Sequence, residues 1–556
     1  MSHPLFERHK PLLDQALAAI AGRGYWSAFP ESPSPKVYGE GAAESGKAAF
    51  DALLNKPFPI QLPGSQGTVG GEISPYGIAL GVSYPKVDLD QLFAAIAKAE
   101  PAWRKAGPEA WVGVSLEILT RINKRSFELA HAVMHTTGQA FVMSFQAGCP
   151  HAQDRGLEAI AYAWDELRRI PAKAYWEKPQ GKNEPLKMEK RYRIVPRGVA
   201  LVIGCNTFPT WNGYPGMFAS LATGNAVIVK PHANAILPLA ITVQVAREVL
   251  AEAGFDPNIV TLVAHTAADD AAQKLSLRPE VKLIDFTGST ANGEWLEKNA
   301  RQAQVYTEKA GVNQIIVDST ADIKGVARNV AFSLALYTGQ MCTAPQNIYV
   351  PRDGIDTAEG HLSFDQVAEV LAESVQKLVG DPARAVEILG AVVNEGVTRR
   401  IDAARALGPL VLDSQTLTHP QFPQATIRTP LLVKLEAKDD AKYLKEWFGP
   451  IGFVIATDGT PQSLDIARRA ISNHGALTLS VYSTDRQVID DAIAVAEDTG
   501  VALSINLTGG VFVNQSAAFS DFHGTGANPA ANASLTDSAF VASRFRVVQH
   551  RMHVSA

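Results

Sequence analysis

Val199-Ala200-Leu201-Val202-Ile203 and Ala226-Val227-Ile228-Val229 are short apolar runs on either side of a stretch with helical spacing, Tyr214 to Ala222. The alternation continues: Ile236 to Ala253 reads as a helix, Ile259 to Val263 and Val281 to Asp285 as strands, and Ala291 to Arg301 as a helix. Strands that are apolar throughout belong to sheets covered on both faces, and alternation with helices makes those sheets parallel. The stretch therefore predicts a doubly wound α/β domain. Such sheets bind ligands outside the carboxyl ends of their strands. Lys230 stands at one such end.

Working outward, the alternation restarts after Glu308 with a strand at Gln314 to Val317, a helix at Val326 to Tyr337 and a strand at Asn347 to Val350. A second α/β domain is expected from about residue 309 to 513. Upstream, Leu89, Leu92, Phe93 and Ile96 fall at helical spacing behind Asp88 as N-cap. A longer helix is expected from Val114 to His135, ending near Gly138. Residues 1–70 are the least legible: Leu12 to Ile20 suggests a helix and Phe29 to Pro35 a proline-rich loop. Residues 173–194 are charged and interrupted, and read as an excursion ending in a strand at Tyr192 to Val195. Pro529 to Ser534 reads as a loop before a last segment, Phe540 to Val548. The expected division is 1–172 with 195–308, an arm at 173–194, a second domain at 309–513, and a C-terminal segment at 514–556.

A chain of 556 residues exceeds one ordinary core. Its 51 basic and 56 acidic side chains leave a formal charge of −5, which gives no electrostatic reason to expect nucleic acid or an anionic membrane as partner. Cys149, Cys205 and Cys342 are too few for a disulfide framework and suit a reducing compartment. Met1 to Lys10 lacks the apolar core of a signal peptide, and no run of eighteen apolar residues is present. A cytoplasmic location is expected.

The chemistry centres on Gly339-Gln340-Met341-Cys342-Thr343-Ala344-Pro345, with Glu308 lying 34 positions upstream (342 − 308). A thiol attacks carbonyls as its thiolate, so its site must stabilise negative charge. Taken alone, Cys342 could equally be a small buried residue, and Glu308 a surface carboxylate beside Lys309. Gly288-Ser289-Thr290-Ala291-Asn292-Gly293 lacks the Lys-Ser/Thr of a triphosphate loop and is not Gly-x-Gly-x-x-Gly. As a loop opening a helix, it still offers free N–H groups to a pyrophosphate. His131 and His135 share one helical face and Cys149 and His151 follow, which is a zinc-like donor set. No Glu stands in the catalytic place of that motif and the helix's apolar face shares the segment, so packing is favoured and no metal is expected.

The set of motifs resembles the aldehyde dehydrogenase superfamily. Gly339 to Ala344 is similar to its nucleophile loop, and Glu308-Lys309-Ala310-Gly311 to its Glu-Leu-Gly-Gly. Pro196-Arg197-Gly198-Val199, Gly224-Asn225, Val229-Lys230-Pro231, Phe286-Thr287-Gly288-Ser289 and Glu446-Trp447-Phe448-Gly449-Pro450 follow in the family's order, over roughly residues 75 to 515. The resemblance implies a Rossmann-type cofactor domain, a second α/β catalytic domain and an oligomerisation arm. It implies Cys342 as nucleophile, forming a thiohemiacetal and then a thioester, with Glu308 as the base that activates water. Branches that pass the acyl group to coenzyme A generally lack this glutamate, so a free carboxylate is the implied product. Lys230 would hold the adenosine ribose, Gly288 and Ser289 the pyrophosphate, Glu446 and Phe448 the nicotinamide ribose and ring. NAD-preferring members usually carry Glu three positions after that lysine. Ala233 stands there, which leans towards NADP over NAD. The family's oxyanion donor is an Asn two positions before Pro209, where this chain has Thr207, with Asn206 one place early; either could serve. Residues 173–194 match the assembly arm, implying a homodimer or homotetramer.

Glu31 to Pro35, Cys205 to Asn212, Asn506 to Gln515 and Phe519 to Gly526 resemble a narrower branch acting in aerobic phenylacetate breakdown. This implies an aldehyde substrate linked to coenzyme A, the semialdehyde formed after ring opening. Two rivals are a ring-opening hydrolase of the same pathway and a non-catalytic protein on the same fold. No separate hydratase-like stretch supports the first, and the retained Cys342 and Glu308 count against the second.

Overall fold

The computed structural model describes residues 3–554, so residues 1–2 and 555–556 of the expected first and last segments lie outside the described residues. Five parallel strands form the first sheet, in the spatial order Val260–Leu262, Ala226–Lys230, Val199–Ile203, Val281–Thr287, Gln304–Glu308. The chain thus starts in the middle, winds outward to one edge, returns and winds to the other. That reversal opens a crevice beside Val199–Ile203, the doubly wound arrangement expected from the apolar runs. Val199–Ile203 and Ala226–Lys230 are buried along their whole length, and their apolar core is continuous with that of the N-terminal helices.

The second sheet has seven strands ordered Leu410–Leu412, Leu431–Glu436, Ile451–Thr457, Asn347–Pro351, Gln314–Val317, Thr478–Tyr482, Ala502–Ile505. All pairs are parallel except the first. Alternate residues feed separate cores on its two faces: Ile316, Val433 and Phe453 on one, Ile315, Val317 and Leu432 on the other.

Differences from the sequence expectations have local causes. The helix foreseen from Val114 to His135 is two helices, Pro108–Lys124 and Ser126–Thr137. Arg125 between them leaves helical geometry (φ −105°, ψ 17°), and the Ser126 hydroxyl donates to the Asn123 carbonyl across the break. The second helix ends at Gly138 in the left-handed region, as its sequence suggests. Among the described residues of the 1–70 segment there are three helices, Pro4–Gly22, Pro35–Tyr38 and Ala42–Leu53. Asp88 caps Leu89–Ala106 by accepting from the Gln91 N–H at 2.9 Å.

The charged segment after residue 172 is a β-hairpin, Lys173–Gln180 and Asn183–Pro196, turned at Gly181. The last strand, Phe545–His553, pairs antiparallel along its full length with Asn183–Pro196. Arg544 anchors this strand to the first sheet. Its guanidinium is fully buried, bonds both Asp285 oxygens at 2.8 and 2.5 Å, and donates to Ser220 Oγ at 2.7 Å. Removing one partner of such a buried pair costs about 3–5 kcal/mol. Among the described residues, no helix is long and apolar enough to cross a membrane.

Candidate active site

The carboxyl ends of the first sheet and the segments that lead into the amino ends of the second sheet's strands Gln314–Val317, Asn347–Pro351 and Ile451–Thr457 face one cleft of ≈ 620 Å³. Strand geometry places several site residues directly: Lys230 and Glu308 are the last residues of Ala226–Lys230 and Gln304–Glu308. Cys342 lies in the loop between the helix Ile323–Ala335 and the strand Asn347–Pro351. Asn206, Thr207, Gly288, Ser289, Glu446 and Phe448 line the same cleft. Ala233 sits beyond Lys230, in the turn closed by the His232–Ala235 bridge.

The loop carrying Cys342 is held from several sides. Tyr337 (φ 53°, ψ 36°) and Thr338 (φ 52°, ψ 40°) adopt the left-handed region, at a cost of about 1–2 kcal/mol each. Compensating contacts fix them: the Tyr337 hydroxyl donates to the Thr137 carbonyl at 2.5 Å and Thr338 Oγ1 to the Leu389 carbonyl at 2.7 Å. A Cβ on Gly339 would lie 2.5 Å from the Gly449 carbonyl oxygen, so glycine is required where this loop crosses the Glu446–Pro450 segment. Gln340 donates to the Tyr337 and Ala391 carbonyls and accepts from the Val393 N–H. Asn313 donates to the carbonyl of Cys342 itself at 2.8 Å and accepts from the N–H groups of Leu477 and Thr478. Asn313 thereby ties the loop carrying Cys342 to the start of the strand Thr478–Tyr482.

Cys342 and Glu308 meet a third titratable group. His523 Nε2 lies 3.7 Å from Cys342 Sγ and 3.2 Å from Glu308 Oε2. Ligand atoms of all three lie within 4.8 Å of one another. Asn212 Nδ2 donates to the same Glu308 oxygen at 3.4 Å, and Asn212 Oδ1 accepts from the Cys205 thiol at 3.6 Å, which orients the amide. Burial works to raise the Glu308 carboxyl, but the charge and hydrogen bond of His523, the Cys342 contact and the Arg155 charge outweigh it and hold it below its ordinary value. Burial, and after it the Glu308 charge and hydrogen bond, push the Cys342 thiol well above its ordinary value. Glu308 is thus a carboxylate at neutral pH, and the thiol does not ionise unaided.

His523 and Asn212 were not marked by the sequence as site residues. His523 stands in the stretch Phe519 to Gly526, whose resemblance to the narrower branch is the available signal. Asn206 and Thr207 line the cleft with Cys342 but are already engaged: Asn206 Nδ2 donates to the Thr136 carbonyl at 3.0 Å, and Thr207 Oγ1 to Cys205 Sγ at 3.9 Å.

The other end of the cleft fits a dinucleotide. Lys230 is 6% exposed and has no ion-pair or hydrogen-bond partner among the described residues. Burial lowers its ammonium to about 8, so a ligand oxygen there would relieve a desolvated cation. Ser289 caps the helix Thr290–Asn299, accepting from the Asn292 N–H, and Gly288 precedes it, so the first-turn N–H groups are directed at the cleft as a pyrophosphate requires. Burial raises Glu446 to about 7, opposed by the Arg400 charge and the Gly311 N–H. Arg400 also donates to the Phe448 carbonyl at 2.7 Å, fixing the segment that presents both residues.

The zinc-like histidines are packed. His131 and His135 stack on Phe50 with ring centroids 5.7 and 5.2 Å apart, and His135 Nδ1 bonds Ser74 Oγ. Burial lowers both imidazoles to about 4. Cys149 donates to the Ser126 carbonyl, and His151 pairs with Glu31.

Comparison with known proteins adds a family context. The model of the Aldehyde dehydrogenase family matches residues 78–526. A 1-pyrroline-5-carboxylate dehydrogenase of Halalkalibacterium halodurans is 25% identical over 489 residues, 84% of this chain and 89% of its own. The benzaldehyde dehydrogenase [NAD(+)] of Pseudomonas putida is 26% identical over 438 residues, 77% of this chain and 80% of its own. A crystal structure of an NAD-dependent aldehyde dehydrogenase from Burkholderia multivorans superposes with a TM-score of 0.99, at 69% identity over 100% of both chains.

Proposed function

The chain belongs to the aldehyde dehydrogenase family, and from that premise we propose that it oxidises an aldehyde to a free carboxylate through a thioester on Cys342. The observation that carries this reading is the meeting of Cys342 and Glu308 in the cleft that Lys230, Gly288 and Ser289 line. A nicotinamide dinucleotide held by Lys230, Gly288, Ser289, Glu446 and Phe448 would supply the hydride acceptor. Cys342 adds to the aldehyde carbon, and its acyl thioester remains after oxidation. Glu308, a carboxylate fixed by Asn212, accepts a proton from the water that hydrolyses the thioester.

The oxyanion formed on addition needs donors aimed at it. Asn206 spends one amide hydrogen on the Thr136 carbonyl, which fixes the amide and leaves the second hydrogen for the substrate oxygen. Asn206→Ala should therefore slow acylation about a hundredfold, and Thr207→Ala less. Pre-steady-state bursts of reduced dinucleotide measure both, and the reverse order of losses would put Thr207 in the hole.

The acceptor is NAD or NADP. At Ala233 no carboxylate opposes a 2′-phosphate, so NADP should be accepted, whereas the 69% identical neighbour is NAD-dependent. Ala233→Glu should lower the ratio of kcat/KM for NADP over NAD at least about tenfold, because a like charge beside the phosphate costs more than 1 kcal/mol. An unchanged ratio, or a wild type that reduces NAD and ignores NADP, contradicts this assignment.

For substrate, the stretches Glu31 to Pro35, Cys205 to Asn212, Asn506 to Gln515 and Phe519 to Gly526 resemble the phenylacetic acid degradation protein PaaN. They favour a coenzyme A-linked semialdehyde over a free aromatic aldehyde. The hairpin 173–196 and the strand Phe545–His553 expose Tyr175, Leu186, Val547, Val548 and Met552. Covering these residues with a second copy would satisfy both apolar surface and strand edges, which supports a homodimer or a dimer of such dimers. Dinucleotide reduction with a panel of aliphatic, aromatic and coenzyme A-linked aldehydes tests the whole reading. The linked semialdehyde should give the highest kcat/KM, and no reduction with any aldehyde would reject the activity.

A further inference from the structure

His523 is the group in this site that the thioester chemistry described above leaves unused. It is 4% exposed and lies on the irregular segment between the strand Ala502–Ile505 and the helix Ser538–Ala542. Its position is built from several elements. Trp211 packs edge-on against the imidazole at 4.6 Å. Ser516 Oγ lies 3.5 Å from Nδ1 and accepts from Arg155 Nη2 at 3.2 Å. Arg155, fully buried against Glu158, also donates to the Asp521 carbonyl at 2.9 Å and so anchors at two points the segment that leads into the histidine.

Nε2 faces two groups at once, the Cys342 sulfur and the Glu308 carboxylate. Ser516 Oγ has two lone pairs, and while one accepts from Arg155 the other is free to accept from Nδ1–H. With the ring proton on Nδ1, the Nε2 lone pair confronts the carboxylate lone pairs of Glu308. A proton moved from sulfur to Nε2 replaces that repulsion with a charge-assisted hydrogen bond to Glu308, and leaves a thiolate beside an imidazolium. The net charge of the three groups is the same before and after.

We propose that His523 is a catalytic residue, the base that takes the proton of the Cys342 thiol; the inference rests on the reading of Cys342 as nucleophile. The S–H bond of Cys342 breaks, an N–H bond forms at His523 Nε2, and nothing is oxidised or reduced. The sulfur then attacks the aldehyde as a thiolate, while Glu308 keeps its carboxylate for the later water. This divides the two proton transfers between two bases. The thiol is pushed up by burial and then by the Glu308 charge, so it needs a base in contact with it, and Nε2 at 3.7 Å is such a group. The charged and titratable groups facing the imidazole and its two partners are Glu308, Cys342, Cys205, Arg155 with Glu158, Glu446 and Asp521.

The test reads the thiol without turnover. Wild type and His523→Gln, which keeps a polar side chain against Ser516, are alkylated with iodoacetamide across pH 6 to 10. Modification of Cys342 is followed by peptide mass spectrometry, so that Cys205 does not confuse it. At pH 7 the variant should react at least about tenfold more slowly, with its rate rising only in the range of an unassisted thiol. His523→Ala, folded by circular dichroism, should recover alkylation and burst rate with added imidazole. Superimposable pH profiles of wild type and His523→Gln would overturn the proposal, as would a His523→Ala variant that is fast without imidazole. Failure of Cys342 as nucleophile would show separately, as turnover surviving in Cys342→Ala.

Discussion

Cys342→Ala should lose aldehyde oxidation by at least about ten-thousand-fold, because the acyl group then has no sulfur to bind and no neighbouring group can replace it. Glu308 lies nearby, but His523, the Cys342 contact and Arg155 outweigh its burial and hold it as a weakly basic carboxylate. Cys205 Sγ is tied up with Asn212, Thr207 and the Phe208 N–H, and burial raises its thiol to about 11. The fold should be unaffected. The loop is held by Asn313, Gln340 and Thr343 through carbonyls and side chains other than the sulfur. Dinucleotide affinity, measured by calorimetry, should stay within about twofold, since Lys230, Gly288 and Ser289 lie at the strand ends of the other sheet and none bonds the sulfur. Turnover near that of wild type would remove Cys342 from the mechanism.

Glu308→Gln should separate the two halves of the reaction. The amide keeps the shape of the carboxylate but cannot take a proton from water, so deacylation should slow about a hundredfold or more. Acylation draws on Cys342 and the oxyanion donors, and should persist. Rapid mixing should show a burst of reduced dinucleotide close to one per site, then a slow phase. Glutamine also removes the negative partner of His523, so the burst itself should slow several-fold if His523 carries the thiol proton. Steady-state turnover equal to that of wild type would assign the base elsewhere, with Glu446 the next carboxylate in the cleft.

The first sheet was legible because its strands are buried on both faces: Val199–Ile203 and Ala226–Lys230 contain almost nothing but apolar residues, and periodicity and length alone distinguish them from the intervening helices. Their carboxyl ends, and so Lys230, followed from the topology, whereas Glu308 was legible only through the motif resemblance, because its strand Gln304–Glu308 is short and largely polar in sequence. Cys342 was legible from its motif, although the left-handed turn at Tyr337 and Thr338 that presents it was not, since neither residue favours that conformation by itself. The break at Arg125 escaped because the apolar pattern runs through it, and buried helices on both sides hide the change of axis. His523 escaped for a different reason. It lies 181 positions from Cys342 on a segment without periodicity, and only the packing of Trp211, Ser516 and Arg155 brings it to the sulfur. The charged hairpin at 173–196 read as an excursion because its apolar residues are few and outward, and pairing with Phe545–His553 is a long-range contact that local pattern does not encode.

The most direct measurement of the thioester route is the mass of the Glu308→Gln enzyme after one mixing with aldehyde and oxidised dinucleotide, quenched in acid within the burst. One acyl group should be found per site, on the peptide that contains Cys342, in step with one reduced dinucleotide. Full reduction of one dinucleotide per site with unmodified Cys342, or with the acyl group on another residue, would contradict it.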